Sequence, residues 1–296
     1  MKEIVIISGK GGTGKTSITG AFAYLAKKSV VLADCDVDAS DLHLLLRPEI
    51  KRKENFYSSQ IAVIDGSMCT SCGACFDVCH FDAIIPGIPY TVNTINCEGC
   101  GYCEKVCPEQ AITMKSNLDG QWYISVTRLG SHLSHAHLGI GTENSGKLVS
   151  VVKNVAKQLA QMLKLDTILV DGPPGVSCPV ISTLSGATFA LIVTEPTVSG
   201  VHDLKRVYEI AKRFRVGTGV IINKADINKE NYQKIREFID REGITHLADL
   251  PYDTTFTKAM TQGQTIIEYA PDNPISHKLQ KTWPVILDMV QNPKTQ

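Results

Sequence analysis

The sequence predicts an α/β fold, a doubly wound and mostly parallel sheet into which a small module has been spliced. Three observations carry that expectation. Short apolar runs rich in isoleucine and valine alternate with stretches of helical spacing along most of the chain. The first run leads directly into a glycine-rich loop and a helix. Eight of the ten cysteines then fall between Cys69 and Cys107, where the alternation lapses.

Taken in order, Glu3 to Ser8 reads as a buried strand, followed by the glycine loop and a helix from about Lys15 to Lys28. Ser29 to Ala33 supplies a second strand, and ADCDVDASDLHLLL is an acidic loop running into an apolar helical turn. Composition shifts near Tyr57. From there to about Ser116, glycine, proline and cysteine punctuate segments too short to build a core of their own. Residues 57–117 are therefore assigned to an inserted domain, with 1–56 and 118–296 as the two parts of the parent. YISVTRLGSHLSHAHLG alternates like a strand or hairpin and fits either unit. The parent pattern resumes by Glu143, with helical spacing from Leu148 to Leu163, and the strand TILVDG follows. Strands at Thr188 to Thr194, Gly217 to Asn223 and Thr245 to Leu250 alternate with further helices. HKLQKTWPVILDMV is expected to be broken at Pro284 and to pack as a final helix, not to seek a membrane.

The totals exclude several classes. With 296 residues, 43% hydrophobic and 20% charged, the chain buries a substantial core. Thirty basic residues balance thirty acidic ones, so no global field favours nucleic acid or an anionic membrane, and neither is expected as a partner. No apolar run approaches the roughly 18 residues that span a bilayer. The opening MKEIVIISGKGG reaches its loop too soon for a removable signal. Regular cysteine runs read as metal ligands and not as a disulfide framework, which makes the cytoplasm the expected location.

Gly9, Gly14, Lys15 and Thr16 fit GxxxxGK[ST], with Gly11, Gly12, Thr13 and Ser17 completing a loop whose amides converge on phosphate oxygens. Lys15 is expected to neutralise the outer phosphates and Thr16 to ligate magnesium. With Lys10 the motif becomes KGGxGKT, which resembles the MinD, ParA, Mrp and nitrogenase iron protein superfamily of P-loop ATPases. The resemblance implies ATP and magnesium as cofactors, and a Lys10 that reaches across a nucleotide-sandwich dimer of like or unlike subunits. It implies that Asp171 in DGPPG is a switch aspartate holding magnesium, and that Asp34 and Asp36 belong to a first switch, with Asp36 orienting the attacking water. Asp38 and Asp41 are nearby substitutes. Lys10, Lys15, Asp36 and Asp171 form the catalytic set. Asn223 in INKAD, with Pro251 and Asp253 in the PYD turn, resembles the base-recognition segments. NKAD also fits the NKxD element of GTPases, so Asp226 keeps guanine as an alternative, while Lys10 favours ATP.

CTSCGACFDVC and CEGCGYCEKVC each have CxxCxxCxxxC spacing, a loop that presents three thiolates to an iron-sulfur cube. Paired zinc sites are the alternative, and they rarely use three cysteines so closely spaced. The two runs resemble bacterial two-cluster ferredoxins, in which the fourth cysteine of each run serves the other cluster. That resemblance assigns Cys69, Cys72, Cys75 and Cys107 to one 4Fe-4S cluster and Cys97, Cys100, Cys103 and Cys79 to the second. It also implies a small α+β ferredoxin-like insert in a MinD-like parent. Pro108 follows the last ligand as in that pattern, whereas His80 stands where the pattern has proline. Cys35 reads as a small buried residue. Cys178 has two readings: an inert residue or, as its offset from Asp171 resembles that of the cluster-ligating cysteine in the nitrogenase iron protein, a metal ligand meeting its copy at a dimer axis, with His132, His135 and His137 as contributors.

The leading expectation is an ATPase whose nucleotide-dependent dimer gates electron transfer through the two clusters to a partner protein. Cluster assembly or carriage is an alternative, against which stands the lack of a CxxC pair after Cys178. The third is a MinD/ParA-like positional or scaffolding ATPase.

Overall fold

The structure, a computed structural model, describes residues 1–139 and 145–292. It forms two compact units, one of Met1–Lys53, Trp122–His137 and Ser145–Gln296, the other of Glu54–Gln121 and Leu138–Asn144. In chain order the strands are β1 (Lys2–Ser8), β2 (Val31–Asp34), β3 (Glu49–Ile64), β4 (Ile84–Ile85), β5 (Thr91–Val92), β6 (Ile112–Val126), β7 (His132–Leu138), β8 (Thr167–Pro174), β9 (Phe189–Thr194), β10 (Gly217–Ile222) and β11 (Thr245–Asp249). The main sheet has the order β11-β10-β9-β1-β8-β2-β7-β6-β3. Every pairing from β11 through β7 is parallel.

Parallel strands need crossover connections, which cover both faces and so call for apolar side chains in both orientations. β1 meets that demand. Ile4 and Ile6 join the core beneath the helix Lys15–Ala26, while Val5 and Ile7, which point the other way, are equally inaccessible. Phe22 of that helix stacks on Trp283 with ring centroids 5.2 Å apart. Because β1 lies between β8 and β9, the chain leaves it for β2 on one side and later crosses from β8 to β9 on the other. Their carboxyl ends therefore diverge at β1, where an open α/β sheet leaves a crevice for ligands.

Several expectations are corrected. The first helix ends at Ala26 and tightens into a 3₁₀ turn over Lys27–Ser29, and the second strand begins at Val31. The helix Pro274–Gln291 runs unbroken through Pro284. Pro284 lies on its exposed face, while Leu279, Trp283, Ile286 and Val290 keep the buried face packed. The resumption expected by Glu143 lies outside the described residues; the helix there is Ser145–Met162. The ambiguous alternating segment is the end of β6, a turn closed by Thr127 N–H donating to Ser131 O at 2.9 Å, and β7, which pairs with β2 in the main sheet.

In the second unit β4 and β5 form an antiparallel hairpin, and helical turns at Ala74–Asp77 and Tyr102–Val106 each start after a left-handed glycine, Gly73 and Gly101. Ala62, Cys75, Ile84 and Ile112 make its small core, with Cys79, Cys97, Cys103 and Cys107 packed against it. The 16 residues of β3 and the 15 of β6 correct the expectation of short segments only. Much of β3 is polar and exposed on both sides, so it carries no apolar alternation to read.

Candidate functional site

The glycine loop leaves the carboxyl end of β1 and opens the helix Lys15–Ala26. Gly14 adopts φ 92°, a left-handed backbone that side chains resist, and a Cβ there would sit 2.5 Å from the Asn223 amide nitrogen. The loop is held from below by Asn223, whose Nδ2 donates to Thr13 O at 2.8 Å. Thr13 Oγ1 is buried without a hydrogen-bond partner.

Behind the loop, Lys15 Nζ lies 3.2 Å from Asp171 Oδ1 and 3.4 Å from Asp36 Oδ2. Asp171 comes from β8 and Asp34 from the end of β2, its neighbour. The Thr16 hydroxyl donates to Asp171 Oδ2 and the Thr19 hydroxyl to Asp171 Oδ1, both at 2.8 Å. Burial alone would depress the Lys15 pKa, but Asp171, Asp36 and Asp34 outweigh it and hold the ammonium above the ordinary lysine value. Burial, with the Asp171 charge adding to it, lifts Asp34 to about 7 even though Ser40 Oγ donates to it at 2.6 Å. Burial also raises Asp36. Three carboxylates around one ammonium leave an excess of negative charge on hard oxygens, and Thr16 with Asp171 is a donor pair that suits magnesium.

Other expected residues are placed differently. Gly11 and Gly12 are exposed at the loop crest, and the Ser17 hydroxyl faces Met260 Sδ at 3.3 Å. Asp38 and Asp41 are exposed. Asp253 accepts from Thr255 N–H at 2.7 Å and Asn273 Nδ2 at 2.9 Å, next to Pro251, while Tyr252 N–H donates to Asp226 Oδ1 at 2.7 Å. The PYD turn and INKAD are thus tied together. Lys10 Nζ pairs with Glu195 Oε1 at 2.6 Å and donates to Thr197 Oγ1 at 3.0 Å. Sequence reasoning missed Glu195 and gave no role to its second partner, Lys224, although that lysine stands in INKAD; the signal for Glu195 was its position at the end of β9.

The second unit sorts its thiols into two cavities. Cys69, Cys72, Cys75 and Cys107 line one together with Tyr90 and Ile112. Cys79, Cys97, Cys100 and Cys103 line the other together with Ala62 and Met114. Burial raises the Cys75 pKa, and nearby Cys69 and Cys107 add to it; burial raises Cys103, with Cys97 and Cys100 adding. Ala111 N–H donates to Cys107 Sγ at 3.3 Å and Ala62 N–H to Cys97 Sγ at 3.5 Å. Among the described residues no three His, Cys, Asp or Glu side chains are gathered for a single metal ion. Cys35 is buried, and burial pushes its thiol pKa up. Cys178 is exposed at the start of the helix Cys178–Leu184. His135 is buried, stacked on Tyr123 and bonded to Ser125 Oγ at 2.8 Å; burial, aided by His43, lowers its pKa to about 4.

Residues 4–266 match the family profile described as the CobQ/CobB/MinD/ParA nucleotide binding domain. An uncharacterized protein of Methanocaldococcus jannaschii, MJ0578, is 40% identical over 232 residues, which cover 78% of this chain and 80% of that protein. A putative septum site-determining protein MinD of Chlorella vulgaris is 22% identical over 274 residues, covering 90% of this chain and 77% of its own. The structure of the septum site-determining protein MinD from Pyrococcus horikoshii, complexed with Mg-ADP, superposes with a TM-score of 0.59 and 18% identity over 100% of this chain and 99% of that one.

Proposed function

The chain belongs to the CobQ/CobB/MinD/ParA nucleotide-binding family, and from that premise we propose that it is an ATP-hydrolysing switch of the MinD/ParA kind, closing as a dimer over ATP. The observation that supports this best is the buried set Lys15, Thr16, Asp36 and Asp171 at the carboxyl edge of the sheet. Lys15, fully charged among carboxylates, transfers its bonds to the outer phosphates when nucleotide enters, and the unpartnered Thr13 hydroxyl meets a phosphate oxygen. Thr16 and Asp171 hold magnesium, which offsets phosphate charge when bound. Asp36, released from Lys15, takes up the attacking water. Lys10 reaches the partner's nucleotide. Asn223 and the turn at Pro251 and Asp253 border the base, with ATP preferred to GTP. Phosphate release from ATP and GTP tests the reading: magnesium-dependent turnover of ATP is expected, and turnover of neither nucleotide contradicts it. The names of the related proteins favour the positional or scaffolding role within this class.

A second reading, that the Cys69–Cys107 region carries two 4Fe-4S clusters gated by nucleotide, is favoured by one observation. The eight thiols divide into the two sets of four expected for crossed fourth ligands, three from one run and one from the other, each set around its own cavity. A cube needs thiols spread about a cavity, in contrast to the convergent ligands of a single zinc ion. Cys69, Cys72, Cys75 and Cys107 would hold one cluster and Cys79, Cys97, Cys100 and Cys103 the other, supplying one-electron transfer. Between Glu54 and Gln121 the chain has eight acidic side chains and two basic ones; subtracted from thirty of each, this leaves twenty-two and twenty-eight elsewhere. A redox or cluster-accepting partner of this unit would present a basic face. Anaerobic reconstitution checks the reading, with about eight iron and eight sulfide per chain expected; colourless protein contradicts it.

A further inference from the structure

Glu195 follows β9, and its side chain is 8% exposed. One carboxylate oxygen takes Lys10 Nζ at 2.6 Å and the other takes Lys224 Nζ at 2.7 Å. Lys224 also donates to Gly12 O at 3.1 Å, so both ammoniums are tied to the nucleotide loop. The backbone that carries Glu195 is tightly fixed. Thr197 N–H donates to Glu195 O at 2.8 Å, and a Cβ on Gly200 would come within 2.1 Å of that same oxygen. Thr197, the second acceptor for Lys10, caps the helix Val198–Arg213 by accepting from Gly200 N–H.

We infer that Glu195 is a positioning residue for Lys10, docking its ammonium within its own protomer so that closure over ATP must first exchange Glu195 for the partner's phosphate. The inference rests on the proposed ATP-dependent dimer. A carboxylate this enclosed binds an ammonium far more firmly than a surface one does. What Lys10 gains at a phosphate is therefore offset by what it leaves behind, and only the difference drives closure. The exchange is feasible because Lys224 stays. Were Lys10 the sole cation, its departure would strand a buried negative charge, a costly state. With Lys224 in place Glu195 remains neutralised, and Gly12 remains gripped. Glu195 thus sets the protein concentration at which nucleotide closes the dimer, without touching the reacting atoms.

The test is sedimentation of the full chain with magnesium and a non-hydrolysable ATP analogue over a range of protein concentrations. Wild type, Glu195→Gln, Lys10→Ala and the Glu195→Gln/Lys10→Ala double variant are compared. Glu195→Gln is expected to move the dimerisation midpoint at least about tenfold lower, the step that follows from weakening one charge-assisted hydrogen bond, and the gain is expected to vanish in the double variant. A midpoint unchanged or raised by Glu195→Gln, or a gain that survives loss of Lys10, overturns the inference. Wild type that stays monomeric with nucleotide, or that dimerises regardless of Lys10→Ala, overturns the ATP-dimer reading and this inference with it. Should Glu195→Gln not fold, Glu195→Asp, which withdraws the carboxylate by one methylene, is read by the same criterion.

Discussion

Lys15 is the residue on which the proposed nucleotide site is built, since its ammonium, on a side chain only 6% exposed, answers three buried carboxylates at once. Removing it leaves Asp171 and Asp36 enclosed without a cation, so Lys15→Ala is expected to cost ~3 kcal/mol or more in urea unfolding, besides slowing turnover. Asp34 gives a pH signature. Its folded pKa of about 7 stands above the ordinary aspartate value of 3.8, so the folded state binds the extra proton between those limits. Its contribution is therefore fully present below about pH 4 and is lost as pH rises through 7. Asp34→Asn removes that loss: relative to wild type the variant is expected to gain stability between pH 5 and pH 8, where urea titrations at both values decide the sign. Residues such as Lys15 and Thr16 were legible in sequence because a phosphate loop is contiguous. The pairing of Glu195 with Lys10 and with Lys224 of INKAD was not, because only the sheet brings those strand ends beside Lys10.

Among the elements, the first and last helices are packed together in the core through Phe22 and Trp283. Trp283→Ala is expected to destabilise the chain by about 3–5 kcal/mol, measured by denaturant unfolding, as a buried aromatic replaced by a cavity. The strands β1, β8, β9 and β10 could be read from their apolar runs because burial on both faces leaves nothing else for them to be. β3 could not, since EIKRKENF faces water along much of its length. Pro284 misled for a related reason: sequence gives the residue but not the exposed face that tolerates it. In the cysteine unit, the crossed grouping has its own test. Cys107→Ser and Cys69→Ser are expected to lose the same half of the bound iron, and Cys79→Ser the other half, by electron paramagnetic resonance of the reduced protein. Loss that followed sequence order, with Cys69 and Cys79 behaving alike, would refute the crossed grouping.

At the scale of the whole molecule, the balanced total charge conceals an acidic second unit and a basic remainder. Among the described residues no helix is long and apolar enough to cross a membrane. The family match, to a nucleotide binding domain, spans residues 4–266. ATP is expected to convert monomer to dimer, and ADP to leave it monomeric, by light scattering at fixed concentration. The most direct trial of the central claim is phosphate release by anaerobically purified chain with ATP and magnesium, beside Lys15→Ala. Turnover that depends on magnesium and falls at least ~100-fold in the variant, as for loss of a principal charge on the transferring phosphoryl group, is the expected result. Wild type without turnover, or a Lys15→Ala variant that hydrolyses ATP at the same rate, would contradict it.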